Sequence, residues 1–92
     1  MKEEYMVSQK VIIKNKSGIH ARPAGELVKV TKSCTSDTLM LVDTKVINIK
    51  SILNLMAAAI RQGTEVTIQC DGEGEKEDLK RIIDAINSGL GE

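Results

Sequence analysis

The fold this 92-residue sequence predicts is an α/β (α+β) open-faced sandwich: four antiparallel strands with three helices on one face, in the order β-α-β-β-α-β-α. Two observations carry the expectation. Four stretches alternate apolar and polar residues at period two, and three others place apolar residues in one stripe at helical period. Alternation leaves each strand a solvated face, which suits an antiparallel sheet covered on one side; continuous apolar runs would have pointed to a parallel sheet buried on both. The length suits one domain over 1–92, with 1–5 as a short N-terminal extension.

The elements follow in order. Tyr5, Val7, Val11 and Ile13 alternate with Met6, Ser8, Lys10, Ile12 and Lys14, so a strand is expected over 5–15. Asn15-Lys16-Ser17-Gly18 breaks it. Pro23 suits a helix's first turn, and Ala24, Leu27, Val28 and Thr31 then form an apolar face on a helix ending near Ser33. Residues 38–42 and 45–49 read as a hairpin turning at Asp43-Thr44. Ser51 is an N-cap for a second helix, whose stripe runs Ile52, Leu55, Met56, Ala59 and Ile60 and whose end is set by Gly63. Over 65–71, Val66, Ile68 and Cys70 alternate inward. After the Gly72-Glu73-Gly74 turn, Leu79, Ile82, Ile83, Ile86 and Leu90 form the third helical stripe. Acids at Glu75, Glu77 and Asp78 suit the positive end of that helix.

Composition excludes several function classes. One Tyr and neither Trp nor Phe leave no aromatic platform for stacking single-stranded bases. Thirteen basic residues balance thirteen acidic ones, so the chain is no nonspecific polyanion binder, and no nucleic-acid partner is expected. The charges are unevenly placed, however. Residues 1–61 hold ten basic and five acidic side chains, and 62–92 hold three and eight. A basic half on a neutral chain suits an acidic partner or an anionic ligand. Cys34 and Cys70 form neither a CxxC nor a Cys/His cluster, so no metal site is expected. Buried, reduced thiols in a cytoplasmic protein are the expectation, with a disulfide left open by the sequence. Neither a signal peptide nor an apolar run of membrane-spanning length is present, so direct membrane insertion is not expected.

Chemistry concentrates at the one histidine. In Gly18-Ile19-His20-Ala21-Arg22-Pro23-Ala24, His20 falls at the junction of loop and helix, at or near the N-cap. Unpaired N–H groups and a partial positive charge make such an end receptive to phosphate. Arg22 adds donors matched to phosphate oxygens, and a neutral imidazole is a competent nucleophile near neutral pH. The combination can accept a phosphoryl group and hold it. With no general base or carboxylate pair in view, transfer to another protein is favoured over hydrolysis. A capping histidine beside a solvated arginine is the other reading of the same residues.

That seven-residue motif resembles the active-site signature of HPr, the histidine-containing phosphocarrier family of the phosphoenolpyruvate-dependent sugar phosphotransferase system. The element order, the length and Asn48-Ile49-Lys50-Ser51-Ile52-Leu53 before the second helix resemble it too, over essentially the whole chain after about five residues. The resemblance implies no cofactor. It implies that Enzyme I phosphorylates His20 at Nδ1, that Arg22 assists, and that EIIA domains receive the group. Ser17, Gly18 and Ala21 would shape the phosphate pocket. Lys29, Lys32, Lys45 and Lys50 fall at basic positions facing acidic partners, and Ile52, Leu53 and Met56 suit a docking patch. Ser51 matches a regulatory serine that an HPr kinase/phosphorylase modifies in Gram-positive relatives, which brings in a catabolite-control transcription factor as a further partner. A monomer is expected.

The chain departs from the family pattern at Asn54, where Gly or Lys is usual, at Ala57-Ala58-Ala59, and at Glu26 on the otherwise basic first helix. Two other functions compete. One is an HPr-like regulatory module acting mainly through Ser51 and the apolar patch. The other is a small acylphosphatase-like hydrolase, which would need a phosphate-cradling loop and a water-positioning Asn that the sequence does not show.

Overall fold

The computed structural model describes residues 6–92. The expected order is observed: β1 (Val7–Ile12), α1 (Ala21–Lys32), β2 (Asp37–Val42), β3 (Lys45–Ile47), α2 (Ile52–Ala57), β4 (Glu65–Asp71) and α3 (Glu75–Asn87). The strands lie β1-β4-β2-β3, antiparallel throughout. Val7 pairs with Cys70, Met40 with Ile68 and Met40 with Ile47, so each inward residue of one strand faces another. The helices cover one face. α3 packs on β1 and β4, and α1 packs on α3 and α2. Ile13, Leu27, Met40, Ile49, Leu55, Ile68, Ile82 and Ile86 are fully buried between the layers. No helix among the described residues is long and apolar enough to cross a membrane.

Several boundaries differ from expectation. β1 ends at Ile12 rather than 15, because Ile13 exchanges its hydrogen bonds with Gly63 and Thr64 and the chain then turns, Gly18 N–H donating to Asn15 C=O at 2.9 Å. Tyr5 and the 1–5 extension lie outside the described residues. β3 stops at Ile47, two residues early, where Asn48 Oδ1 accepts from Lys50 N–H and bends the chain away from the sheet.

The larger correction concerns α2. The expected helix to Gly63 ends at Ala57, and Ala59 takes a left-handed φ of 53°. Of its expected apolar stripe, only Leu55 and Ile60 are buried; Ile52 and Met56 are exposed. A tertiary contact decides this. Ile60 C=O accepts from Ile19 N–H at 2.9 Å, which ties the segment after α2 to the loop before α1 and requires the helix to stop first.

Two acids of α3 also do more than face the helix dipole. Glu75 and Asp78 are buried. Asp78 Oδ2 accepts from Ser36 Oγ at 2.6 Å and from the N–H groups of Ser36 and Thr35 at 2.9 and 3.1 Å. Glu75 Oε1 accepts from Gly72 and Met6 N–H, both at 2.9 Å. Both tie the start of α3 to the strands beneath it.

Candidate functional site

His20 is the N-cap of α1, with extended backbone at φ −96° and ψ −163°. Its side chain makes no capping bond; its carbonyl accepts the first helical bond from Ala24 N–H at 2.9 Å. The first turn of a helix leaves its N–H groups without partners inside the helix. Pro23 has none to leave, so the open donors are those of Ala21 and Arg22, both exposed. Sequence and geometry thus agree on a short, donor-rich helix end beside an imidazole.

Gly18 makes the entry to this end possible. Its φ is +70°, and a Cβ there would collide with the Ile60 carbonyl oxygen and crowd Arg61 Cα. That close approach closes an open hollow of about 300 Å³ lined by Ser17, Ile19, His20, Met56, Ala59, Ile60 and Arg61. Ser17 and His20, singled out as pocket and nucleophile, share this hollow. Arg61 lines it as well. Nothing in the sequence marked Arg61, because its proximity depends on the early end of α2.

The imidazole is not alone. His20 Nε2 lies 2.7 Å from Glu92 Oε2. Glu92 Oε1 accepts from Asn15 Nδ2 at 3.0 Å, and the same amide donates to Gly89 C=O at 2.7 Å. Asn15 is buried at 5% exposure. The Asn15 amide holds the Glu92 carboxyl below the usual carboxylate range against the opposing effect of burial, and the His20 contact adds to it. Sequence reasoning found no carboxylate for His20, since 72 residues separate the two and only the folding of the chain after α3 joins them. In the sequence Asn15 reads simply as part of a loop. The Nδ1 nitrogen of His20 carries no hydrogen bond among the described residues.

The remaining candidates fall on neighbouring surface. Lys29 and Lys32 lie in the last turn of α1; Lys29 pairs loosely with Glu26 at 3.4 Å. Lys50 is half-buried ahead of α2, and Lys45 is exposed at the start of β3. Ser51 is the N-cap of α2 as expected, its Oγ accepting from Asn54 N–H at 3.2 Å and from Asn54 Nδ2 at 2.8 Å. Asn54 therefore strengthens the cap at the position where it departs from the family pattern. Ile52, Leu53 and Met56 are 42%, 80% and 44% exposed, a contiguous apolar strip along α2. Cys34 and Cys70 are free and buried. Burial pushes the Cys70 thiol up to about 11 and raises Cys34 as well, so both stay protonated at neutral pH.

Known proteins share this sequence pattern and this fold. The model of a family described as "PTS HPr component phosphorylation site" matches residues 7–88. The HPr-like protein Crh of Bacillus subtilis is 44% identical over 77 residues, covering 84% of this chain and 91% of that protein. The phosphocarrier protein HPr of Mycoplasma capricolum is 42% identical over 77 residues, covering 84% and 86%. A crystal structure of HPr from Thermoanaerobacter tengcongensis superposes with a TM-score of 0.88 at 36% identity, covering 94% and 97% of the two chains; a dimer of HPr from the same organism superposes at 0.74 with 37% identity and full coverage of both. Sequence pattern and overall fold converge with these matches: the chain belongs to the HPr family of phosphocarrier proteins of the phosphotransferase system.

Proposed function

We propose that this protein accepts a phosphoryl group on Nδ1 of His20 from phosphorylated Enzyme I and passes it to EIIA domains in sugar uptake in the cytoplasm. The observation that carries the reading is the asymmetry of the imidazole. Nε2 is engaged by Glu92, while Nδ1 has no partner among the described residues and the ring sits at a helix end with two open N–H donors. In transfer, the Nδ1 lone pair attacks phosphorus, and the bond from phosphorus to the donor breaks with its electron pair leaving on the donor. Arg22 and the N–H groups of Ala21 and Arg22 offset the charge on the phosphoryl oxygens. The group is held rather than hydrolysed, because the carboxylate found beside His20 among the described residues, Glu92, is already engaged by Nε2 and the Asn15 amide. The chain is then a stoichiometric carrier, not an enzyme that turns over.

Partner recognition follows from the surface along α1 and α2. Lys29, Lys32 and Lys50 supply positive charge, and Ile52, Leu53 and Met56 supply an apolar strip beside it. Small, charge-steered contacts suit a shuttle that must bind and release two partners in turn. Ser51 is the site of regulation: a phosphate there adds about −1.5 to −2 charges at the α2 cap. The helix end tolerates this charge, and acidic partner surfaces are repelled by it. The protein acts as a monomer, and light scattering at high concentration reads this directly against the dimer seen for a relative.

The test is a relay. Radiolabelled phosphoenolpyruvate, Mg²⁺, Enzyme I, this protein and an EIIA domain are combined, and label is followed on each. The reading predicts label on EIIA only when this protein is present, and none with His20→Ala. Label reaching this protein but never an EIIA, together with partner binding lost in Ser51→Ala, would favour a regulatory module instead. Acyl-phosphate turnover by the protein alone would favour a hydrolase.

A further inference from the structure

We propose that Arg61 is a second phosphoryl-binding cation: its guanidinium takes oxygens of the group carried on Nδ1 of His20, within a hollow that Arg22 does not line. The inference rests on the phosphocarrier reading above.

The backbone at residue 61 is held in place. Ala59 reverses the chain with a φ of 53°, and Ile60 is buried with its carbonyl accepting from Ile19 N–H at 2.9 Å. Beyond Arg61, Gly63 N–H donates to Ile13 C=O at 2.8 Å, and Thr64 N–H closes the turn on Arg61 C=O at 3.2 Å. Residue 61 is thus anchored on both sides, against the loop that carries Ser17, Gly18 and His20. Its side chain is exposed, so the core does not require an arginine there.

Charge and ring orientation then point to an anion. Ser17, His20 and Arg61 are the polar residues lining the hollow, and no acid lines it. Arg61 makes no salt bridge among the described residues. Arg22 is placed differently. Part of its field falls on Glu92, whose carboxyl is held down by the Asn15 amide first and by His20 and Arg22 after it. Glu92 takes Nε2 of His20 and lines a separate hollow with Lys14, Asn15, Lys16 and Gly89. The ring nitrogen left for a group in the Arg61 hollow is therefore Nδ1. About 300 Å³ is ample for a phosphoryl group, and apolar walls at Met56 and Ile60 weaken screening of the charges inside. A planar guanidinium matches phosphoryl oxygens two at a time, in the bound group and in the transition state, where charge spreads over three oxygens. An acidic side chain of a partner is the other ligand a guanidinium takes. The hollow shared with His20 favours the phosphoryl group, and a donor without a protein surface separates the two.

Phosphoramidate is such a donor. The Nδ1 lone pair attacks its phosphorus, the P–N bond breaks with its electron pair leaving on ammonia, and the Nε2 proton stays on the ring. Wild type, Arg61→Ala and Arg61→Lys are compared in the intact protein by mass analysis and ³¹P NMR. Arg61→Ala is expected to slow uptake from phosphoramidate about threefold, the size of one solvent-facing charge contact. It is expected to raise the pH at which the phosphoryl oxygens on His20 titrate by about half a unit. Both effects should shrink in about 1 M salt, where the screening length is about 3 Å. Arg61→Lys, which keeps the charge without the fork, is expected to fall between. With phosphoenolpyruvate and Enzyme I, the saturating rate should drop in Arg61→Ala while half-saturation stays unchanged. Urea midpoints should match wild type, since the side chain is exposed. An unchanged phosphoramidate rate and oxygen titration in Arg61→Ala would overturn the inference alone, and a raised half-saturation beside them would assign Arg61 to partner contact. A wild type that takes up a phosphoryl group on His20 from neither donor would overturn the phosphocarrier reading and the inference with it.

Discussion

At the scale of single residues, His20 gains its character from neighbours that sequence distance hides. Its position in the Gly18–Ala24 motif was legible, because Pro23 fixes the helix start and leaves only two open N–H donors. Its partner Glu92 was not, nor was the Asn15 amide that holds Glu92, since contacts across 72 and 77 residues have no local signature. The same holds for Leu53. Helical periodicity places it off the core stripe, and it is 80% exposed, but its neighbours Ile52 and Met56 fit the stripe and are exposed as well. Leu53 packs on nothing that folding requires. Leu53→Ala is therefore expected to leave thermal stability within about 0.5 kcal/mol of wild type. It should raise the concentration needed for half-maximal phosphorylation by Enzyme I, by about 1 kcal/mol of affinity. Calorimetry and initial-rate titrations read the two effects separately; a large stability loss with unchanged partner affinity would remove Leu53 from the docking strip.

At the scale of elements, two helices carry mismatched residues, and opposite substitutions should repair them. Gly25 lies inside α1 with open space where a Cβ would project. Gly25→Ala should stabilise by about 1 kcal/mol. Ala59 occupies the left-handed position after α2. Ala59→Gly should stabilise by about 0.5–1 kcal/mol, the relieved strain being partly offset by the freer unfolded chain. Urea denaturation of both variants checks the signs. The start of α3 sets the acid limit of the fold. Burial pushes the Asp78 carboxyl up, but the hydroxyl and N–H of Ser36 and the N–H of Thr35 outweigh it and hold it below the ordinary range. Glu75 is lowered by Gly72 and Met6 N–H. Groups with depressed folded-state values stabilise the protein above their unfolded values, and that contribution is lost as pH falls below about 4. Asp78→Asn should flatten the loss of melting temperature as pH falls below about 4. Asp78→Ala should cost about 2–3 kcal/mol at neutral pH by stranding buried donors. The order of the elements, and the faces of all but α2, were legible because periodicity reports burial. Their ends were not, because β1, β3 and α2 stop where Ile13, Asn48 and Ile60 find partners outside their own element.

At the scale of the whole molecule, the neutral charge total conceals a basic half that carries His20 and an acidic half that carries α3. That division suits electrostatic steering of acidic partners onto the active face. The apparent second-order rate of phosphorylation by Enzyme I should accordingly fall several-fold between about 10 and 150 mM salt, over which the screening length shortens from about 30 to 8 Å. The rate at saturating Enzyme I should stay unchanged. A salt-independent association rate would show that the asymmetry has no role in encounter. The central claim, that His20 accepts the phosphoryl group, is tested most directly by intact-mass analysis after incubation with phosphoenolpyruvate, Mg²⁺ and Enzyme I. One acid-labile phosphoryl increment on wild type, absent from His20→Ala, is the predicted result. An increment that persists in His20→Ala, or none on wild type when a standard HPr in the same tube is fully phosphorylated, would contradict it.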